Sequence, residues 1–258
     1  MRITVITACY NAERTIADAM ASVARQVGVE IEYLILDGGS TDGTVEKVAA
    51  FAAEVSREGR EWIHVIWKSE KDRGMYDAIN KGIGMASGDI IGILNADDVF
   101  EDDGALAAVA ARFEDVEVDA VYGDIRFVKE LGGQTVRYCS ARHFRLWMFR
   151  FGVMVPHPSF YCRRSIFAAL GVYSLEYRIC ADFELVMRYM WKHRVRARYV
   201  PRCLVTMRMG GASTAGLRST VEINREDLRA LRANGYWSAL VLLYMKYFFK
   251  IWGFIFRK

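Results

Sequence analysis

The sequence lacks both of the glycine-rich loops that commonly bind nucleotide phosphates. It contains no G-K-S or G-K-T triplet, and the stretch "GGSTDG", which follows a strand-like run, does not have the G-x-G-x-x-G spacing. These absences disfavour a P-loop enzyme and a dinucleotide-dependent oxidoreductase. A nucleotide can still bind through carboxylates that accept hydrogen bonds from base N–H groups or ribose hydroxyls.

Paired cysteines are missing as well. The five cysteines are an odd number, lie far apart along the chain and include no C-x-x-C pair. This distribution argues against a disulfide framework and against a zinc site. We expect these residues to be small core side chains in a reducing cytosol.

The sequence does contain enough apolar residues for a full core. Its 258 residues are 53% hydrophobic, which fits one large α/β domain with a small appendage. Residues 1–125 include 11 basic and 24 acidic side chains, whereas residues 126–258 include 24 basic and 7 acidic ones. The basic half could meet nucleic acid, anionic lipid or a phosphorylated substrate, and the apolar residues among its charges favour lipid.

Four short apolar runs predict β-strands, at residues 3–8, 31–36, 62–67 and 89–94. Helical spacing of apolar residues fills the intervals, at residues 11–27, 42–55 and 76–86. Strands and helices that alternate with short links predict a parallel sheet covered by helices, with right-handed crossovers. In such sheets ligands bind beyond the carboxyl ends of the strands.

A polar cluster follows each predicted strand, in the order "CYN", "DGGSTDGT", "SEKDRG" and "NADD". Taken singly, Asp and Gly after a strand usually make a turn. Four such clusters at one edge of a sheet favour a shared site. The last cluster ends in Asp97 and Asp98, whose oxygens can bind Mg²⁺ or Mn²⁺ and so make a carboxylate compatible with a diphosphate.

Four segments, in this order, resemble the inverting family 2 glycosyltransferases: "TACYNAERTI", "LDGGSTDGT", "SEKDRGMYDAINKGIGMASGDIIGILNADD" and "YRICADFELVMR". The resemblance covers roughly residues 3 to 211. It implies the GT-A fold, an α/β fold with a Rossmann-like, mostly parallel sheet and helices on both faces. We expect a glycosyltransferase domain over residues 1–213, followed by C-terminal amphipathic helices over residues 214–258 that associate with a membrane.

The resemblance also implies roles for individual residues of the donor site. Asp97 is expected to contact the ribose or the sugar, and Asp98 to bind the metal. Asn95 stands where some members carry another acid, which leaves one carboxylate as the metal ligand. The residues expected around the base and ribose are Thr7, Ala8, Tyr10, Asp37 and Asp72, with Arg73 assisting them.

Asp182 matches the position of the family's catalytic base. A carboxylate held opposite the leaving group can take the proton of an attacking hydroxyl. The alternative is that Asp182 only caps the helix predicted over residues 183–191. Arg208 or Ser213, beside a glycine pair, could touch the diphosphate or belong to an ordinary turn, and His157 is expected to contact the acceptor.

The C-terminal stretch 237–256 is long enough to span a bilayer, but it contains Lys246 and Lys250. Each lysine would cost about 2.5–3.5 kcal/mol at the bilayer centre, so we expect a helix that lies in the interface with its lysines at the headgroups. The segment 141–154 has apolar residues at helical spacing and could flank the same membrane face. A core or dimer helix is the alternative for both segments.

Together these features predict a metal-dependent glycosyltransferase of the hexosyltransferase type, peripheral to the cytoplasmic face of the inner membrane. It would use a UDP-sugar, or else a GDP-sugar, and transfer one sugar per cycle, because the Q-x-x-R-W motif of processive relatives is absent. The expected acceptor is a lipid-linked saccharide in cell-surface polysaccharide assembly. The expected partners include an anionic membrane and no nucleic acid, and a homodimer is left open. The alternatives are transfer to polyprenyl phosphate and a non-catalytic scaffold that binds nucleotide or membrane.

Overall fold

A computed structural model of the chain describes residues 1–209 and 216–246. The strands are β1 (Arg2–Cys9), β2 (Glu30–Asp37), β3 (Ile63–Ser69), β4 (Ile90–Ile93), β5 (Val99–Phe100), β6 (Ala120–Val128), β7 (Thr135–Cys139), β8 (Tyr161–Arg163) and β9 (Ala197–Arg208). The α-helices are α1 (Ile16–Ala24), α2 (Thr44–Glu58), α3 (Met75–Met85), α4 (Ala105–Arg112), α5 (Arg164–Leu170), α6 (Ala181–Met187) and α7 (Gly216–Ala233). Short 3₁₀ turns cover Leu146–Phe151 and His157–Ser159, and residues 240–246 are also helical.

All nine strands belong to one sheet with the order β3-β2-β1-β4-β8-β6-β9-β5, and β7 pairs with β6. The strands β1 to β4 pair in parallel, as predicted. The rest of the sheet is mixed, because β8 runs antiparallel to both β4 and β6, while β9 is parallel to β6. The predicted α/β architecture is therefore confirmed, with a less parallel second half than the sequence suggested.

Helices cover both faces of the sheet, as predicted. Along β1 the side chains alternate, so that Val5 belongs to the apolar cluster that includes residues of α1, α2 and α4, and Ile6 belongs to the cluster that includes residues of α3. The run β2 is buried along nearly its whole length, which is typical of a central parallel strand. Two apolar cores thus hold the strand ends of β1 to β4 in fixed positions.

Gly92 in β4 has a packing role that the sequence did not reveal. A Cβ atom at this position would lie only 2.0 Å from Cε1 of Tyr161 on the neighbouring strand β8. The ring of Tyr161 is fully buried against β4 and occupies the space where a side chain would be. Glycine therefore lets β8 pair with β4 immediately before the acidic cluster.

The C-terminal helices share the core of the preceding domain. Ala230, Leu231 and Leu243 are fully buried in the same cluster as the apolar residues of α6. The boundary expected at residue 213 therefore does not separate two cores. Within the described ranges, no helix combines the length and apolar character needed to cross a bilayer.

Lys246 does not lie at a headgroup position, contrary to expectation. Its Nζ atom is 2.8 Å from Oδ2 of Asp227, and both side chains are almost completely buried. Burying an ammonium group without a partner would be costly, and α7 supplies the compensating carboxylate. Lys250 and the remaining residues of the expected membrane helix lie outside the described part of the chain.

Candidate active site

A cleft of about 1410 Å³ opens at the carboxyl ends of the parallel strands. Its wall includes residues from all four predicted polar clusters, which the fold brings together at one edge. It also includes residues from the start of α6 and the end of β9. Among the predicted site residues, those that line the cleft are Ala8, Tyr10, Asp72, Asp97, His157, Asp182 and Arg208.

Thr7 does not line the cleft, contrary to expectation. Its side chain is fully buried, and its hydroxyl donates a hydrogen bond to the carbonyl oxygen of Leu94 at 2.8 Å. The hydroxyl of Tyr33 lies 3.1 Å away. Thr7 therefore ties β1 to the end of β4, and the base-binding wall begins one residue later, at Ala8.

Asp37 is also buried rather than open to a nucleotide. Its carboxylate accepts hydrogen bonds from the backbone N–H groups of Gly39 and Ser40, and from the hydroxyls of Ser40 and Ser69. Burial raises the pKa of Asp37, but the hydrogen bonds from Ser40 and Ser69 outweigh it and hold this pKa below its ordinary value. Asp37 therefore fixes the loop after β2, and both of its carboxylate oxygens accept hydrogen bonds within the protein.

Asp72 is the carboxylate that faces the cleft on this side. Its Oδ1 accepts a hydrogen bond from the N–H of Gly74 at 2.7 Å. A Cβ atom at Gly38 would lie 2.7 Å from Oδ2 of Asp72, so the glycine leaves room for this oxygen. With Tyr10, whose side chain is 63% exposed, Asp72 can bind a base by an aromatic contact and an accepted N–H bond.

Arg73 does not assist the donor site as expected. Its guanidinium pairs with Asp77 one helical turn along α3, with Nη2 of Arg73 3.0 Å from Oδ1 of Asp77. The side chain of Arg73 is 77% exposed and does not contribute to the wall of the cleft. This ion pair stabilises the beginning of α3.

The two adjacent carboxylates after β4 point to different places. Asp97 lines the cleft, whereas Asp98 is fully buried behind it. Oδ2 of Asp98 accepts a hydrogen bond from Nδ2 of Asn95 at 2.8 Å, and Oδ1 of Asp98 has no hydrogen-bond partner among the described residues. Burial, and then the neighbouring charge of Asp97, raise the pKa of Asp98 to about 8.

The donor set at the cleft fits a metal that is shared with a diphosphate. Mg²⁺ is usually held by one or two carboxylates together with substrate phosphates, rather than by a complete protein cage. Asp97 offers one such carboxylate, and no group of three or more His, Cys, Asp or Glu side chains suited to a metal occurs in the described residues. Asp98, the expected ligand, is buried behind the wall of the cleft, so Asp97 is the carboxylate of this pair that is open to a bound donor.

Arg208 reaches the cleft from the end of β9. Its guanidinium forms an ion pair with Asp18 of α1, and its Nε atom is buried without a hydrogen-bond partner among the described residues. A guanidinium in this position could turn towards a diphosphate by giving up its exposed partner. Ser213, the other expected contact, lies outside the described residues.

Asp182 lies in the first turn of α6 and lines the same cleft as the residues at the strand ends. The N-cap of this helix is Cys180, so the alternative in which Asp182 only caps the helix does not describe this structure. Oδ1 of Asp182 accepts the N–H of Phe183 at 2.8 Å. The rest of the carboxylate contributes to the wall of the cleft.

Three ring side chains lie near Asp182, namely Tyr76, Tyr173 and His157. The rings of Tyr76 and Tyr173 stack with their centroids 5.4 Å apart, and the hydroxyl of Tyr173 lies 2.7 Å from Nε2 of His157. Burial lowers the pKa of His157, although the charge of Asp182 opposes this shift. The lowered pKa of His157 favours a neutral imidazole near Asp182.

Several cleft residues were not recognised in the sequence. Lys71 and Arg178 lie inside the quoted motifs, so their charge was the available signal. The others were not singled out: Phe127 lies on β6, Arg137 on β7, and Met207 and Met209 on either side of the predicted Arg208. The guanidinium of Arg137 lies over the ring of Phe127, 5.4 Å from its centroid.

The sequence is similar to those of known glycosyltransferases. The family model described as "Glycosyl transferase family 2" matches residues 4–170. A "PGL/p-HBAD biosynthesis glycosyltransferase" of Mycobacterium tuberculosis is 29% identical over 228 residues, which are 88% of this chain and 82% of the relative. An uncharacterised glycosyltransferase of the same species is 32% identical over 189 residues, which are 72% of this chain and 68% of that one.

Two groups of solved structures share the fold. Residues 1–349 of Staphylococcus aureus TarS in complex with UDP-GlcNAc match with a TM-score of 0.65 and 17% identity, over 90% of this chain and 66% of that one. The mannosyltransferase PcManGT of Pyrobaculum calidifontis in complex with GDP-Man and Mn²⁺ matches with a TM-score of 0.64 and 19% identity, over 90% of this chain and 63% of that one. This chain thus spans just under two thirds of each of these two solved chains.

Proposed function

This chain belongs to glycosyl transferase family 2, and from that premise we propose an inverting enzyme that transfers one sugar from a nucleotide-diphosphate donor to a membrane-presented, lipid-linked saccharide. The observation that carries the proposal is the single cleft lined by Asp72, Asp97 and Asp182. The first two can hold the donor, and the third can activate the acceptor. Each of these functions needs a carboxylate that is open to the substrate.

The transfer requires one proton to move and one bond to be exchanged. The acceptor hydroxyl oxygen attacks the anomeric carbon while Asp182 takes its proton. The bond from that carbon to the diphosphate oxygen breaks, and its electron pair leaves with the nucleoside diphosphate. In this proposal Asp182 takes the proton on the face of the sugar opposite the leaving group, so that the anomeric centre is inverted.

Asp97 is our proposed metal ligand. A bound Mg²⁺ or Mn²⁺ supplies Lewis-acid stabilisation of the charge that develops on the leaving diphosphate. Arg208 can add a cationic contact to the same group. Asp72 and Tyr10 position the base, and Asp72 can accept an N–H from either uracil or guanine.

Binding measurements on the purified protein test the donor class. We expect UDP to bind with a dissociation constant at least about tenfold lower in the presence of Mn²⁺ than in its absence, because the metal links the diphosphate to Asp97. Isothermal titration with UDP and with GDP, each with and without Mn²⁺, makes the comparison. Preference for GDP would redirect the search to GDP-sugars, and failure of both nucleotides to bind would support the scaffold alternative.

An exposed apolar surface supports the membrane part of the proposal. Trp147 is 56% exposed, Trp237 is 70% exposed and Val241 is 72% exposed. The two chain segments that carry them meet where Oγ of Ser238 donates to the carbonyl oxygen of Arg150 at 2.8 Å. Exposed arginines of the first segment can contact anionic headgroups while the aromatic rings enter the interface. Such a surface suits an enzyme at the cytoplasmic face of the membrane.

Replacing both tryptophans by serine tests this surface. The double variant Trp147→Ser, Trp237→Ser should bind vesicles that contain phosphatidylglycerol at least about tenfold more weakly, because two large apolar side chains no longer enter the lipid. Vesicle sedimentation gives the bound fraction. Trp62→Ser is the matched control, since Trp62 is 46% exposed and precedes β3 at the opposite edge of the sheet. Unchanged binding of the double variant would reject the surface.

A further inference from the structure

Three consecutive backbone N–H groups in front of α6 donate to one carboxylate on α7. The N–H of Arg178 lies 3.1 Å from Oε1 of Glu226, and those of Ile179 and Cys180 lie 2.9 Å from Oε2. The next turn of the chain carries Asp182. Glu226 therefore binds the backbone that leads directly to the proposed base.

The same loop is also held from the other side. The hydroxyl of Tyr76 on α3 donates to the carbonyl oxygen of Ile179 at 2.7 Å. The thiol of Cys180 points to the carbonyl oxygen of Ile223, one turn before Glu226 on α7, at 3.6 Å. The loop is thus fixed between α3 and α7, and Glu226 supplies most of its hydrogen bonds on the α7 side.

A carboxylate suits this position better than any neutral side chain. It has two oxygens with several acceptor sites and no donor, so it can accept three N–H groups at once. Glutamine would turn an NH₂ group towards at least one of those donors. Hydrogen bonds to an ionised acceptor are also roughly twice as strong as neutral ones.

The position of α7, the helix that carries Glu226, does not depend on the hydrogen bonds that Glu226 accepts. On the same helix, Ala230 and Leu231 are fully buried, and Asp227 forms the buried ion pair with Lys246. We therefore expect α7 to stay in place when the carboxylate of Glu226 is removed. What changes is the freedom of the three backbone groups that it binds.

From this arrangement, and resting on the function proposed above, we propose that Glu226 is a positioning residue that holds Asp182 at the reacting centre. It is not among the residues that line the cleft, and it acts through the backbone of residues 178–180. Positioning of this kind matters for rate, because displacing a reacting group by about 1 Å can cost about 100-fold. The donor side, built on β1 to β4, is independent of Glu226.

The test compares Glu226→Gln with the parent chain and with a matched control. UDP release from a UDP-sugar in the presence of Mn²⁺ gives kcat and KM, with water as acceptor because water offers Asp182 the same O–H group. We expect kcat to fall about 10- to 100-fold, with KM for the donor and the dissociation constant for UDP unchanged. Glu226→Asp keeps the charge on a shorter side chain and should recover part of the loss.

The control is Arg229→Gln, which removes an exposed ion pair between α7 and Glu176 at the start of the same loop. It should leave kcat unchanged. A loss in this variant equal to that of Glu226→Gln would overturn the proposal, because any contact of α7 would then have the same effect. An unchanged kcat in Glu226→Gln would overturn it as well.

Amide hydrogen exchange tests whether Glu226 holds the backbone of residues 178–180, and it does so without relying on catalysis. In Glu226→Gln the amides of residues 178–180 should exchange faster, while those of α7 keep their protection. If the parent chain releases neither UDP from any UDP-sugar nor GDP from any GDP-sugar, the proposed function fails, and exchange still decides whether Glu226 fixes the loop. Unchanged exchange at these three amides would overturn the inference even in an active enzyme.

Discussion

Asparagine at position 182 is expected to lower sugar transfer by about 10²- to 10⁴-fold, which is the range that a positioned general base contributes. Asp182→Asn keeps the size of the side chain and the oxygen that accepts the N–H of Phe183. It removes only the ability to take a proton from the acceptor hydroxyl. Since the donor contacts lie on the strand ends, UDP binding should stay unchanged.

Transfer rates are measured with saturating donor and Mn²⁺, and UDP binding is measured by calorimetry. Together they separate a loss of proton transfer from a loss of donor binding. Asp182→Glu is the matched variant, because it retains a carboxylate but moves it by one methylene. We expect its rate to lie between those of the parent chain and Asp182→Asn. Full transfer to a saccharide acceptor by Asp182→Asn would reject the base assignment.

The nature of the acceptor can be read from the same variant. A lipid phosphate is already anionic and has no hydroxyl proton that must be removed. Asp182→Asn should therefore retain activity if polyprenyl phosphate is the true acceptor. That outcome would favour the alternative in which the sugar is attached directly to the lipid.

The parallel part of the fold could be predicted from local patterns. The four predicted strands lie within one or two residues of β1 to β4, and the helical spacing at residues 76–86 matches α3. Continuous apolar runs and turn residues specify these elements without long-range information. The meeting of four polar clusters at one cleft followed from the topology of parallel strands.

The direction of individual carboxylates could not be predicted in this way. Asp37 ends β2 and Asp72 follows β3. The carboxylate of Asp37 accepts hydrogen bonds from its own loop, whereas that of Asp72 faces the cleft. Asp97 and Asp98 are adjacent, and the backbone after β4 decides which one is buried. Local pattern gives the residue type near a site, whereas orientation depends on hydrogen bonds that form only in the folded chain.

Long-range pairs were also invisible in the sequence. The partner of Lys246 is 19 residues away, and the three amides bound by Glu226 are 46 to 48 residues away. A basic, aromatic C-terminus therefore suggested a membrane helix throughout, although its described part packs on the domain. The composition of the C-terminal stretch shows that it is amphipathic. It does not show whether a given lysine faces lipid or pairs with a buried carboxylate, as Lys246 does.

Asp97→Asn and Asp98→Asn should behave differently, although the two residues are adjacent. In Asp97→Asn we expect the Mn²⁺-dependent increase in UDP affinity to disappear and transfer to fall at least about 100-fold, because the loss of metal stabilisation is worth several kcal/mol. Asp97 lines the cleft, and asparagine keeps its size while removing the charge that attracts the cation. Its amide is a much weaker ligand for a hard divalent ion.

In Asp98→Asn the response of UDP binding to Mn²⁺ should be retained. The side chain is fully buried, and an amide oxygen can still accept the hydrogen bond from Nδ2 of Asn95. Thermal unfolding of both variants checks that each one is folded before its binding is compared.

The comparison decides which carboxylate binds the metal. Calorimetry of UDP with and without Mn²⁺ on the two variants gives the answer directly. Loss of the Mn²⁺ effect only in Asp98→Asn would mean that the buried carboxylate moves into the cleft when the donor binds, and would return the ligand role to Asp98. Loss of the effect only in Asp97→Asn would assign the metal to the carboxylate that lines the cleft, where a diphosphate can share it.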